Sequence, residues 1–229
     1  TPNSVVIEWE KANIAAAAKA GKRHFVGEFG SDQCVGATRQ KDIDRYERGV
    51  LMTRHVLNFL NAGAAGASYW SLLDQYYNKG AAYPEMQQLG LWYAVRAAYT
   101  PDPDLYASIR EDYQVRPQYY SYSLLTRFIR KGDKVYPIDL DNEFAAASAF
   151  LDEEGRWTYI FANGSDKALD FNLSNPSCPR MGKYAVYRYE QDRLPKDDSL
   201  INPDMVLKAR DGKLKIHIPS QAVMVLTQK

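Results

Sequence analysis

Glu28 is the residue whose setting most invites chemistry. It stands in His24-Phe25-Val26-Gly27-Glu28-Phe29-Gly30, a run with the pattern of a short buried strand ending in one carboxylate between two glycines. Phe25, Val26 and Phe29 suit a pleated, enclosed strand, and Gly27 and Gly30 let backbone or ligand come close. A carboxylate at a strand mouth is costly to bury unless a charge partner, hydrogen bonds or a substrate compensates it. From the residues alone two readings stand: a nucleophile, or a structural carboxylate paired with a neighbouring arginine.

Gly66-Ala67-Ser68-Tyr69-Trp70-Ser71-Leu72-Leu73-Asp74 reads as a second strand, small at its start and aromatic toward its end. Trp70 is either core or a flat apolar face for a sugar ring. Asp74, Gln75, Tyr76, Tyr77 and Asn78 follow it and suit hydrogen bonds to sugar hydroxyls, or equally a solvated loop. Asp32 reads as a loop cap and His24 as facing a helix. His55 and His217 lack the Cys or carboxylate spacing of a metal site, so no metal is expected. Asn163-Gly164-Ser165 and Asn172-Leu173-Ser174 match the glycosylation acceptor triplet, which also arises often by chance.

The elements that must position these residues alternate. Residues 4–20 read as a helix capped by Asn3 or Ser4, with Val6, Trp9, Asn13, Ala16 and Ala20 on one face and Gly21 as its stop. A second helix is expected from Asp42, with Ile43, Tyr46, Val50, Thr53, Leu57 and Leu60 on one stripe. Asp44, Arg45, Arg48 and His55 are expected away from it, and Asn61-Ala62-Gly63 should end it. Helix, strand, helix, strand is the rhythm of a parallel α/β unit, which puts the ends of the Glu28 and Trp70 strands on one face of one sheet. Residues 75–116 form a long Tyr-rich segment, and Pro117 opens a third helix through about Ile129.

At Lys131-Gly132-Asp133 the texture changes to short runs of β-formers: 135–138, 145–151, 157–162, 168–173, 184–189, 214–218 and 222–226. Turn signals separate them, among them Glu154-Gly155 and Asp211-Gly212. Such a series without helices predicts an antiparallel sandwich and a domain boundary near 131.

Bulk properties exclude other classes. The 229 residues carry 29 Lys plus Arg against 28 Asp plus Glu, a net charge of +1, which gives no electrostatic footprint for nucleic acid or an anionic membrane. No apolar run approaches the roughly 20 residues a membrane span needs. No signal-like start is read, and the absence of an initiator Met reads as a processing site or a cloning boundary. Cys34 and Cys178 form neither a disulfide framework nor a metal motif and are expected as free thiols. The 17 Tyr, 8 Phe and 4 Trp suit large cores and surfaces that stack on sugars or bases. No compartment follows from these features, a secreted or periplasmic one being compatible with them.

The order Phe25-Val26-Gly27-Glu28-Phe29-Gly30, helix, Gly66-Ala67-Ser68-Tyr69-Trp70-Ser71 and then a β-sandwich resembles the C-terminal portion of clan A glycoside hydrolases. The resemblance implies the last two strand–helix units of a (β/α)8 TIM barrel over residues 1–131, followed by a β-sandwich accessory domain over 132–229. It implies retaining hydrolysis of a β-linked glycoside by double displacement, with Glu28 as catalytic nucleophile. Trp70, Asp74, Tyr76 and Asn78 would bind the carbohydrate substrate, and no cofactor is implied. The family also needs an acid/base glutamate near the end of its fourth strand, and nothing before the first helix supplies one. Retaining chemistry requires two carboxyl groups about 5–5.5 Å apart. A whole barrel takes roughly 250 residues. The chain therefore reads as an incomplete fragment, inactive alone, whose partner is a missing N-terminal barrel portion or a completing chain. A non-catalytic carbohydrate-binding or structural module is the alternative.

Overall fold

The computed structural model describes residues 1–30, 42–77, 85–94, 113–178 and 181–229. Helix α1 spans Asn3–Lys19, strand β1 Val26–Phe29, helix α2 Glu47–Ala62 and strand β2 Ala67–Tyr69. β1 and β2 pair in parallel, Val26 with Ala67 and Phe29 with Tyr69, with an irregularity between the two pairs. That irregularity lets both Val26 and Phe29 turn inward although three positions separate them. The connecting α2 makes this a β-α-β unit.

α2 is enclosed because it is packed from several sides. It lies between α1 and helix α3, Pro117–Phe128, and over a large β-sheet. It starts five residues later than the expected Asp42, residues 42–46 forming turns. Arg48, expected away from the apolar stripe, is 4% exposed, because no side of this helix is left for a solvated face. Gly63 ends it at φ 106°, its N–H bonded to Leu60 O, a left-handed position that suits glycine. α3 opens with Pro117 at its first turn, where the missing N–H costs nothing.

α1 keeps Val6 of the expected face inside but turns Trp9, Ala16 and Ala20 outward. Asn3, Val6 and Glu10 are buried, while Trp9 is 67% and Val5 55% exposed. Polar contacts decide this orientation. Asn3 Nδ2 donates to Ala145 O at 2.6 Å, and Asn3 Oδ1 accepts from Arg54 and Asn58 of α2, both at 2.9 Å. Glu10 takes His24 Nε2 at 2.9 Å, so His24 faces the helix. A buried polar group without such partners would cost free energy, and they rotate the helix away from the position its apolar residues alone suggest.

Short antiparallel pairs lead into α3: β3 Gln75–Tyr77 with β4 Glu85–Gln87, and β5 Trp92–Ala94 with β6 Tyr113–Val115. Eight strands follow α3 among the described residues: β7 Lys134–Ile138, β8 Ala145–Leu151, β9 Trp157–Asn163, β10 Leu169–Ser174, β11 Lys183–Tyr189, β12 Met205–Lys208, β13 Lys213–Ile218 and β14 Ala222–Thr227. Six form one antiparallel sheet in the order β12-β11-β14-β9-β8-β7, and β10 pairs with β13 in a second. β12 was not expected. Its Met205 and Val206 are exposed, and it sits at the sheet edge.

The six-stranded sheet is covered on both faces, which explains why β8, β9 and β14 are buried along nearly their whole length. Ala146, Phe150, Ile160, Ala162, Val223 and Val225 share a core with α2 and α3. The alternate residues, Ala147, Ala149, Tyr159, Phe161, Met224 and Leu226, pack instead with Leu173, Leu214, Ile216 and Ile218 of the two-stranded sheet. Successive strand residues point to opposite sides, so one strand serves both cores. The first core continues across residue 131 to Phe29, Phe59 and Tyr69. Lys229 adds a tie, its Nζ donating to Phe128 O at 3.1 Å and to Asp133 at 2.9 Å.

Candidate active site

Phe29 and Tyr69 set the geometry of the two strand ends. Their rings meet edge to face at 5.6 Å, and Phe29 packs at 5.3 Å against Phe59 of α2. These two residues face the helix layer. Their neighbours Glu28 and Trp70 are the more accessible residues of the two strand ends, where Phe29 and Tyr69 are both 8% exposed. Glu28 is exposed and Trp70 is 39% exposed. Trp70 N donates to Phe29 O at 2.9 Å, so the backbone of the tryptophan is bonded to the residue after Glu28. The Trp70-Ser71 peptide is cis.

Beyond Trp70 the chain is held by a ladder to Leu91 and Trp92 at the start of β5. Leu91 N donates to Ser71 O and Trp92 N to Leu72 O, both at 3.0 Å, and Asp74 N donates to Trp92 O at 3.2 Å. Gly90 lies so close to this segment that a Cβ would collide with the Leu73 carbonyl carbon and with Asp74 N. A residue without a side chain is required there.

Asp74 is 1% exposed. Its carboxylate accepts Arg116 Nη1 at 2.8 Å and Nη2 at 2.9 Å, a two-pronged pairing, and also the N–H groups of Leu89 and Gly90 at 3.0 and 2.9 Å. Its place in the site is thus beneath the surface, holding the segment after Trp70. Tyr76 lies in β3, opposite Met86 of β4. Asn78 and Asp32 lie outside the described residues.

Arg116 and Asp44 are the residues that reading the sequence overlooked. Arg116 Nε donates to Asp44 Oδ1 at 2.7 Å, and Asp44 lies on the connection from β1 to α2. The signal was faint: an arginine immediately before the helix-opening Pro117, with its two carboxylates 42 and 72 positions away. Burial disfavours the Arg116 charge, but the bonds to Asp74 and then Asp44 outweigh it and hold the guanidinium above its ordinary range. Burial likewise raises the Tyr69 phenol, with Arg48 opposing it.

Elsewhere, His217 Nδ1 meets Asp170 at 2.8 Å on the exposed face of the small sheet. Of the two acceptor triplets, Asn163 is fully buried and its amide donates to Lys167 O at 2.7 Å and Pro219 O at 2.9 Å, which leaves it unavailable for a glycan. No cluster of three metal-ligating side chains occurs among the described residues.

No protein-family model matches the chain, and no curated protein matches it in sequence. Solved structures do match in fold. One is a glycoside hydrolase family 30 subfamily 8 xylanase from Clostridium acetobutylicum, with TM-score 0.62, 12% identity, and 92% of this chain on 43% of the other. A 4-O-α-L-rhamnosyl-β-D-glucuronidase from Fusarium oxysporum matches with TM-score 0.58 and 14% identity, over 95% of this chain and 46% of its own. A family 39 glycoside hydrolase from Bacteroides cellulosilyticus gives 0.57 and 13%, over 96% and 38%. At such identity the likeness is one of fold. The chain spans less than half the length of each of these structures.

Proposed function

We propose that this chain is part of a retaining glycoside hydrolase acting on a β-linked glycoside, in which Glu28 is the nucleophile and Trp70 lines the sugar subsite. The observation that carries this reading is the pairing of the two strand ends, with Trp70 N bonded to Phe29 O at 2.9 Å and Glu28 exposed beside it. An exposed carboxylate and a partly exposed tryptophan on adjoining strand ends supply the parts needed to attack an anomeric carbon and to stack on a pyranose. The fold likeness to hydrolases of families 30 and 39 supports the reaction class.

In the first step the Glu28 carboxylate forms a bond to the anomeric carbon as the glycosidic C–O bond breaks, and a general acid protonates the departing oxygen. Water, activated by the same group in its basic form, then attacks the anomeric carbon and releases Glu28. That second carboxyl group belongs, on this reading, to barrel elements preceding α1 or to a completing chain, and residues 1–229 alone hydrolyse nothing. The pairing of β1 with β2 alone among the described residues and the exposed stripe Val5, Trp9, Ala12 and Ala16 on α1 support it, because a two-stranded parallel pair and an apolar outer helix face both want neighbours. Residues 132–229 act as the accessory sandwich, and the core they share with α2 and α3 supports a buttressing role.

The test uses the full-length protein and an aryl β-glycoside. Glu28→Gly should lower turnover by about a thousandfold or more. Azide should partly restore it by attacking the face that Glu28 vacates, giving a glycosyl azide of inverted configuration. Turnover unchanged in Glu28→Gly would remove Glu28 from the mechanism.

A further inference from the structure

β1 and β2 share a short, irregular pairing, so their own ladder does little to fix the connections that leave them. One buried side chain ties the segment after β2 to the lead-in of α2. Arg116 is 1% exposed, and its guanidinium meets Asp44, three residues before α2, and Asp74, on the segment after β2. It also donates to Gly90 O at 2.7 Å. Its backbone belongs to the same layer, Arg116 N donating to Leu91 O at 2.8 Å.

We propose that Arg116 is the positioning residue of the candidate site: by gripping Asp74 and Asp44 together it fixes the segment that follows Trp70 against the lead-in to α2, and so the placement of Trp70. This rests on the reading of Glu28 and Trp70 as the site. The planar fork suits the task. Two parallel N–H bonds to one carboxylate fix direction as well as distance, and the remaining Nε–H is left for a second carboxylate, an arrangement that lysine cannot reproduce. A buried ion pair contributes little net stability compared with an apolar pair of similar volume, so its weight here lies in geometry. The Asp44 arm separates positioning from folding, because its side chain is 45% exposed while that of Arg116 is 2% exposed. Breaking an arm that reaches solvent costs the fold little.

The 229-residue chain labelled with 5-fluorotryptophan supplies a test that needs no turnover. The Trp70 resonance is assigned with Trp70→Phe, and Trp157, buried in β9, serves as internal control. With the melting temperature unchanged, Asp44→Asn should shift or broaden the Trp70 line and leave Trp157 in place. Arg116→Lys should do the same more strongly, and Asp44→Asn decides alone if that variant fails to fold. In the full-length enzyme, Asp44→Asn should raise KM for an aryl β-glycoside about fivefold, corresponding to about 1 kcal/mol, with kcat nearly constant. A Trp70 line that does not respond to Asp44→Asn, or one that moves only together with Trp157, overturns the proposal. Failure of the underlying reading is seen separately, as full turnover in Glu28→Gln, and leaves the fluorine result standing.

Discussion

Tyr46 and Tyr189 clasp each other between the segment leading into α2 and the end of β11. Their rings stack at 4.5 Å and 7°, and each hydroxyl donates to the other's backbone carbonyl, at 2.9 and 2.7 Å. The site-bearing unit and the large sheet meet at this joint. Tyr189→Phe keeps the stack and removes one bond, which should cost about 0.5–1.5 kcal/mol. Tyr189→Ala also removes the ring and should cost about 3–5 kcal/mol. Urea midpoints of the two variants measure both, and equal midpoints would show that the stack contributes nothing.

Gly49 tests the same joint from the helix side. A Cβ there would collide with the Tyr189 hydroxyl and stand 2.8 Å from Ser121 Oγ. Alanine is favoured over glycine inside a helix by about 1 kcal/mol. The clash opposes that gain with a strain of typically 1–3 kcal/mol. Gly49→Ala should therefore leave the chain less stable, and restoring space with Tyr189→Phe should recover part of the loss. A more stable Gly49→Ala would mean that the joint gives way easily.

Alkaline pH should loosen the fold. Burial raises the phenols of Tyr46, Tyr184 and Tyr189 above their ordinary value of 10.0, with Glu190 adding at Tyr46 and the neighbouring phenols Tyr159 and Tyr46 at the other two. In the unfolded chain these groups ionise near pH 10, whereas the folded chain keeps them protonated. Their contribution is complete below pH 10 and is lost as pH rises from there toward the raised folded values, by up to about 1.4 kcal/mol per pH unit for each phenol. Denaturation midpoints between pH 8 and 11.5, followed with phenolate absorbance, should fall only above pH 10. A flat profile across that range contradicts the burial of these groups.

Trp70→Ala in the full-length enzyme should raise KM for a β-glycoside by about tenfold, the equivalent of about 1.4 kcal/mol of lost ring contact. The unfolding midpoint should change little, since this side chain is 39% exposed. An unchanged KM would place the ring outside the subsite.

Much of this architecture is legible in the chain because local rules and tertiary packing agree. Pro117 and Gly63 mark helix ends where the structure has them. The β-formers after residue 131 form the strands of two sheets. What escaped depends on partners far away in sequence. Trp9 follows the apolar periodicity of α1, yet Asn3, held from positions 54, 58 and 145, turns that helix and leaves Trp9 outside. Arg48 has the type of a surface residue and lies inside because α2 is covered on all sides. Asp74 has the type of a sugar-binding carboxylate. Only the return of the chain at Arg116 reveals that it is engaged below the surface.

The central claim concerns one bond. Treating the full-length protein with a 2-deoxy-2-fluoro β-glycoside bearing a good leaving group should trap the glycosyl ester, because the fluorine slows both oxocarbenium-like steps while the leaving group speeds only formation. Peptide mass mapping should then find the added fluorosugar on the peptide containing Gly27-Glu28-Phe29-Gly30, and Glu28→Gln should abolish the label. A fluorosugar found on any other carboxylate, with Glu28 unmodified, would contradict the account.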